Sequence, residues 1–463
     1  MRRKDLAMDI RSISPSQEQN GHQVTDNLDL AVLGVCTGTG LGHVDCASVF
    51  GHSPASLPAC SSNTQFDRIP VPASVRDPIV SYLRGGRHGS EPAPTLDDLL
   101  SRLFSNGIKT FCRKNAIDPD SIDLVGTHSD ALNNLTALTD REAAREQPLR
   151  WNSLIAAETG ISSVSDFTIT EHAVTHSQIH PTAYVNRALL RHTTRFRVCL
   201  NIDEIANLTF IPPHADDGAH ATLSRDCGPG SLLIDYAMRY CTSNAQSSDH
   251  DGRLGAQGTV NQNIIDQFLN TRDYLRQTPA MSMATEMFGD HEAQQLIDEC
   301  LYNSMSEADT IATVTRATAQ NILKQYNRLL QLFFPPGQHV DELFLCGPSA
   351  RNTNIVDYLE SELAESVVVK PLHAIGIPGD AHEAVCYAHL TLEAVLGQAT
   401  QSADQPPVPS SADAVRAKVV PGRRWIELMS HVLNFSGGQR IQMATNVRIM
   451  NNLVSGVQGI VIA

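Results

Sequence analysis

Four times along the chain a short apolar run closes on glycine or small hydroxyl residues. The runs are LDLAVLGVCTGTG (28–40), IDLVGTHSD (122–130), FRVCLNIDEIANLTFIPP (196–213) and DELFLCGPSARN (341–352). Strand-length apolar runs that end in a turn and alternate with helical stretches specify an α/β architecture. The third run reads as two strands joined by a tight polar link. In such sheets ligands lie beyond the carboxyl ends of the strands, so the glycine ends are where function is sought.

Helices are legible between the runs. TIATVTRATAQNILKQYNRLLQLFF (310–334) repeats apolar residues near 3.6 and is stopped by two prolines. IVDYLESELAE and DAHEAVCYAHLTLEAVLG also read as amphipathic helices. Residues 1 to about 28 are polar and aperiodic, a disordered leader. ATQSADQPPVPSSAD (399–413) is a Pro/Ser/Gln-rich linker. Beyond it, WIELMSHVLNF reads as a helix, and SGVQGIVIA as an apolar strand or a disordered end.

Composition narrows the functional classes. A net charge of −15, with no long basic stripe, argues against a phosphate grip on nucleic acid. No apolar run reaches the ~18 residues of a membrane span. The basic first residues lack the apolar core of a secretory signal. The ten cysteines are scattered without a CxxC pair, which fits a reducing, cytosolic setting with free thiols.

Three motifs carry candidate chemistry. CTGTGLGHVD (36–45) follows a strand; its small residues form either an anion nest or an ordinary glycine-rich turn. RDCGPGSLLIDYAM (225–238) places Gly-Pro-Gly before an apolar helix, which can also be plain loop punctuation. EHAVTHSQIHP (171–181) spaces His172, His176 and His180 by four, one face of a helix and a conceivable zinc site. Pro181 ends any helix there, and exposed or hydrogen-bonded histidines are the simpler reading.

Taken in order, ten segments resemble the anhydro-N-acetylmuramic acid kinases, members of the actin, sugar kinase and heat-shock ATPase superfamily. The resemblance runs from about residue 28 to 397 and looks closest to the family's fungal branch. VLGVCTGTGLGHVD resembles the first phosphate loop GLxSGTSxDGxD, and IDLVGTHSDAL resembles IDLIGTHGQT. DFTITEHAVTHSQIHP resembles the substrate segment xFRxxDxAxGxQGAP. NIDEIANLTFIPP resembles NIGGIANxxFxPP, and RDCGPGSLLID resembles FDTGPGNxxID. HDGRLGAQGTV, TPAMSMATEMFGD, ATVTRATAQNI, LCGPSARNTNI and GIPGDAHEAVCYAHL resemble five further family segments.

The resemblance implies two ribonuclease-H-like α/β domains facing across a cleft. It implies ATP and Mg²⁺ as cofactors, phosphorylation of O6 of an anhydro amino sugar, and ring opening by water. A carboxylate takes the water's proton. A homodimer is implied as well. On this reading the first lobe spans 29–195, the second 196–398, and 399–463 is a linker and extension. The general base aligns with Glu171. Nucleotide contacts align with Gly38, Thr39, Asp226, Gly228, Gly230 and Gly347, and sugar contacts with His128, Gln178 and Glu286. No side chain is assigned to metal.

The chain departs from the family pattern at the chemistry. Gly40, Gly42 and His43 replace serine, aspartate and glycine in the first phosphate loop. Asp203 and Glu204 replace Gly-Gly, placing two acids where a triphosphate would lie. Cys227 and Ser231 replace threonine and asparagine. Pro348 and Ser349 replace two glycines, so that loop loses an N–H. Thr168 replaces an arginine; Met281, Ala284 and Thr285 replace lysine, glycine and arginine. Two functions follow from the residues: a sugar kinase, or a degenerate member that keeps the fold for binding or regulation.

Overall fold

The computed structural model describes residues 27–38, 40–54, 59–83, 95–129, 151–170, 181–213, 222–272, 274, 290–399, 414–436, 447–452 and 457–462. Residues 1–26 of the leader, 400–413 of the linker and 172–180 of the histidine run lie outside these residues, and β1 already begins at Asn27.

The first sheet is built on β1 (Asn27–Thr37), β2 (His43–Pro54), β3 (Ala59–Pro70), β4 (Leu124–Ser129) and β5 (Ser162–Thr170). The second uses β6 (Arg197–Ile202), β7 (Ile205–Ile211), β8 (Leu223–Pro229), β9 (Glu342–Cys346) and β10 (Val368–Pro371). In the first, β1 pairs antiparallel with β2, β2 antiparallel with β3, and β4 joins β1 and β5 in parallel. In the second, β6–β7–β8 is antiparallel while β6–β9–β10 is parallel. Both sheets therefore repeat one strand order, fifth-fourth-first-second-third. That order, an antiparallel meander extended by parallel strands, is the ribonuclease-H-like unit, so the α/β expectation holds for both halves.

Helices pack on these sheets: α1 (Ala73–Leu83), α2 (Leu96–Lys114), α3 (Trp151–Thr159), α4 (Pro181–Leu190), α5 (Leu232–Cys241) and α6 (Gln262–Asn270). They continue with α7 (Asp290–Tyr302), α8 (Glu307–Phe333), α9 (Thr353–Glu362), α10 (His382–Ala399) and α11 (Trp425–Ser436). The amphipathic run at 310–334 is α8. It starts a turn earlier than its apolar repeat because Ser306 and Asp309 form a reciprocal capping box. Phe196, Phe210 and Phe334 pack at the centre of the second unit's core.

Helix α10 follows the second unit in sequence yet lies on the first sheet, against β1, β2 and β4. Two glycines permit this. Gly34 and Gly126 are register partners on β1 and β4. A Cβ at 34 would sit 1.8 Å from the Ala384 carbonyl oxygen, and one at 126 would sit 1.7 Å from Thr391 Oγ1. Only hydrogen at both positions lets the helix approach so closely. Buried Tyr387, Leu390 and Leu392 of α10 then join Val32, Leu124 and Val164 in one core.

The residues after the linker extend the first sheet. β11 (Ala414–Val420) pairs antiparallel with the edge of β5, and α11 packs against α10. β12 (Val447–Asn452) and β13 (Val457–Ile462) form a hairpin added beside β3. Among the described residues no helix is long and apolar enough to cross a membrane.

Candidate active site

The carboxyl ends of β1 and β4 lie side by side. Thr37 Oγ1 donates to Ser129 Oγ at 2.8 Å, and Cys36 is the register partner of His128. His128, expected on the sugar side, is half-buried and stacks on Tyr387 of α10, with ring centroids 4.3 Å apart.

Beyond β1 the chain turns through Gly38 and Gly40. The expected anion nest is here, and a carboxylate of the same chain occupies it. Gly40 N donates to Glu204 Oε2 at 2.7 Å. A Cβ on Gly38 would stand 3.5 Å from that carboxyl group, and a Cβ on Gly40 would stand 2.4 Å from Glu204 Oε1. A serine there, as in the family pattern, would require the Glu204 carboxyl group to shift. On the other side of the turn, Arg76 Nε donates to the Gly40 carbonyl at 2.8 Å.

Glu204 reaches this turn from the β6–β7 link, whose backbone is also committed. Gly230 N donates to the Glu204 carbonyl at 2.9 Å, and Ser231 N to the Asp203 carbonyl at 2.7 Å. A Cβ on Gly230 would come 2.1 Å from that Asp203 oxygen. The Gly230 and Ser231 N–H groups just before α5 are thus spent on the neighbouring link. Asp226 accepts from Asn207 Nδ2 at 2.8 Å, and Gly228 holds φ at 114° against Asn321 and Tyr274.

Gly347 ends β9 with φ 89°, and its N–H donates to the Gly379 carbonyl at 3.0 Å. Close by, Arg351 pairs with Asp380 at 2.8 Å, and Asn354 Nδ2 donates to the Gly252 carbonyl at 2.7 Å. Gly38, Gly230 and Gly347 follow strand ends, while Gly228 lies within β8; Gly230 and Gly347 have their own N–H engaged within the chain. Thr39, Glu171, Gln178 and Glu286 lie outside the described residues.

An acidic group surrounds the Glu204 contact. Arg68 forks onto Asp45 with bonds of 2.8 and 2.7 Å, and the charges of Asp203 and Asp380 also act on it. Burial, then the neighbouring Glu204 charge, pushes the Asp203 carboxyl up to about 7. Burial likewise pushes Asp235 up to about 7, although Ser231 Oγ donates to it at 2.8 Å. Sequence reasoning did not single out Arg68. Its only signal is that it faces Asp45 across the β2–β3 register, visible once that hairpin is aligned.

These two carboxyls set a pH dependence. In the unfolded chain both are ionised above pH ~5. The folded chain retains their protons to about pH 7, so folding takes up protons between the two values. Stability is then fully present at low pH and falls as pH rises through 7. Between pH 6 and 8 each carboxyl is expected to remove about 1 kcal/mol. Thermal melts at the two pH values test this: the protein should melt higher at pH 6, and Asp235→Asn should roughly halve the difference.

A sequence profile described as "Anhydro-N-acetylmuramic acid kinase" matches residues 30–405. Relatives bearing that name are similar over nearly their whole length. One from Crocosphaera subtropica is 25% identical over 362 residues, 77% of this chain and 90% of the relative. One from Salinibacter ruber is 28% identical over 375 residues, 80% and 91% of the two chains. Among solved structures, component A of (R)-2-hydroxyglutaryl-CoA dehydratase from Acidaminococcus fermentans is 12% identical with a TM-score of 0.36, covering 78% of this chain and 96% of that one.

Proposed function

Since the chain belongs to the anhydro-N-acetylmuramic acid kinase family, we propose that it is a member whose phosphate site is closed by its own Glu204, and that it keeps the fold for binding rather than phosphoryl transfer. The observation that carries this is the 2.7 Å bond from Gly40 N to Glu204 Oε2. A triphosphate needs free N–H donors and tolerates no fixed carboxylate among them. The described loops do not fit a nucleotide in this arrangement. The Gly40 donor is taken, and the donors at Gly230 and Ser231 point into the Asp203–Glu204 link.

The ligand that remains is an amino sugar of the anhydro class, met by the family's sugar-facing positions His128, Gln178 and Glu286. Two lobes face across the cleft where it binds, the first (29–195) completed by α10 and the second ending before that helix, and the protein works as a cytoplasmic homodimer. Titration of the purified chain with Mg²⁺-ATP is expected to give no saturable heat up to about millimolar nucleotide, where binding energy falls to ~4 kcal/mol. Saturable binding in the micromolar range would sink this reading.

A second reading, the family's ATP- and Mg²⁺-dependent sugar kinase, is favoured by the retained residues Gly38, Asp226, Gly228, Gly230 and Gly347. In that reading Glu171 takes the proton of the ring-opening water, and Glu204 must leave Gly40 before each turnover. Phosphorylation of an anhydro amino sugar at an ordinary kinase rate would establish it; turnover that survives Glu171→Gln unchanged would remove Glu171 from the role.

A further inference from the structure

Three donors from distant parts of the chain meet where α10 crosses from the second unit to the first. Cys199 is on β6, Cys346 ends β9, and His382 begins α10. They are 1%, 0% and 2% exposed. One imidazole nitrogen and the two sulfurs lie within 4.8 Å of one another, with the sulfurs 3.6 Å apart.

Two sulfurs bound tetrahedrally to zinc at ~2.3 Å stand about 3.8 Å apart, close to this spacing. His382 has a polar partner of its own. Its Nε2 lies 2.6 Å from Asn186 Oδ1, a bond that places the proton on Nε2 and leaves the Nδ1 lone pair free. Nδ1 is buried and has no hydrogen-bond partner.

We propose that Cys199, Cys346 and His382 form a structural site for a thiophilic d¹⁰ cation, zinc, that joins the second sheet to the helix crossing onto the first. Binding breaks two S–H bonds and forms two Zn–S bonds, and two protons leave to solvent. Two thiolates, one neutral imidazole and Zn²⁺ sum to zero charge, which suits a fully buried site. Cys386, fully buried one helical turn after His382, lies on the Nε2 side of that ring, its Sγ 3.5 Å from Nε2, and is left outside the three-donor group. The cluster is enclosed, so the ion enters as the chain folds.

The test is metal analysis of the full chain made in zinc-supplemented medium. About one zinc per chain is expected in the wild type, and less than about a fifth in Cys199→Ser and Cys346→Ser. Replacing His172, His176 and His180 together by alanine should leave the zinc in place. Should the cysteine variants fail to fold, the wild type refolded with Co²⁺ should show the near-ultraviolet thiolate-to-cobalt charge-transfer band. A folded wild type without zinc and without that band overturns the proposal, as does zinc that survives Cys199→Ser but is lost on replacing His172, His176 and His180.

Discussion

Glu204→Gly is expected to raise the affinity for Mg²⁺-ATP by about ten- to a hundred-fold, equivalent to about 1.4–2.8 kcal/mol. Two effects add. The substitution releases the Gly40 N–H, which Glu204 Oε2 holds at 2.7 Å, and it restores a donor to the nest. It also removes a full negative charge from where a phosphate would lie. Two like charges 4 Å apart near a protein surface repel by about 4 kcal/mol before screening. Asp203 beside it and the Asp45 and Asp380 carboxylates around Arg68 remain, so the gain stays below that figure. The backbone link is undisturbed, because Gly230 N bonds to the Glu204 carbonyl and not to its side chain. Glu204→Gln separates the two effects. It keeps the shape and an acceptor for Gly40 but loses the charge, and should recover only part of the affinity. A folded Glu204→Gly protein that still ignores nucleotide would mean that Pro348, Ser349 and Asp203 close the site without help from Glu204.

Glu204 shows what a sequence can and cannot disclose. Its identity as an acid in a glycine position is legible by comparison with the family pattern. Its target is not, since Gly40 lies 164 residues earlier and meets it only after both units have folded. The same holds for Cys199, Cys346 and His382, scattered along the chain and gathered by the crossing of α10. The parallel strands β1, β4, β6 and β9 were readable because they are buried and therefore nearly continuous in apolar residues. β2 and β3 mix polar and small residues in an antiparallel hairpin, and nothing in their period marks them. β11 was hidden for a different reason: AVRAKVV alternates as an edge strand does, but its partner β5 lies some 250 residues back, across a proline-rich linker. Long-range pairing of that kind follows from an open sheet edge, which local pattern does not record.

The largest effect on stability is expected at Glu342, the first residue of β9, at the opposite end of that strand from Gly347. Its side chain is 3% exposed and is ringed by Arg195, Arg197 and Lys370, with Arg197 Nε at 2.7 Å. Register explains the ring, because Arg197 on β6 and Val368 on β10 are its direct partners across the parallel ladder. Burial alone would push this carboxyl up. Hydrogen bonds from Lys370 and Arg197 outweigh it and hold the group at about 2. Glu342→Ala leaves Arg197 half-buried between Phe344 and the Leu190 carbonyl without its counter-charge. Breaking one side of a buried pair costs about 3–5 kcal/mol, and denaturant unfolding should register a loss of that size. Arg195→Ala, at a half-exposed position, should cost less than about 1 kcal/mol. The sign with pH is opposite to that of Asp203. A lowered carboxyl stabilises the fold above pH ~4.5, and that contribution is lost as pH falls through about 2. Wild type should therefore lose stability in strong acid more steeply than Glu342→Ala, and the two unfolding curves should converge near pH 2. If they stay parallel instead, the arginines and lysine hold β9 through their aliphatic packing and not through charge.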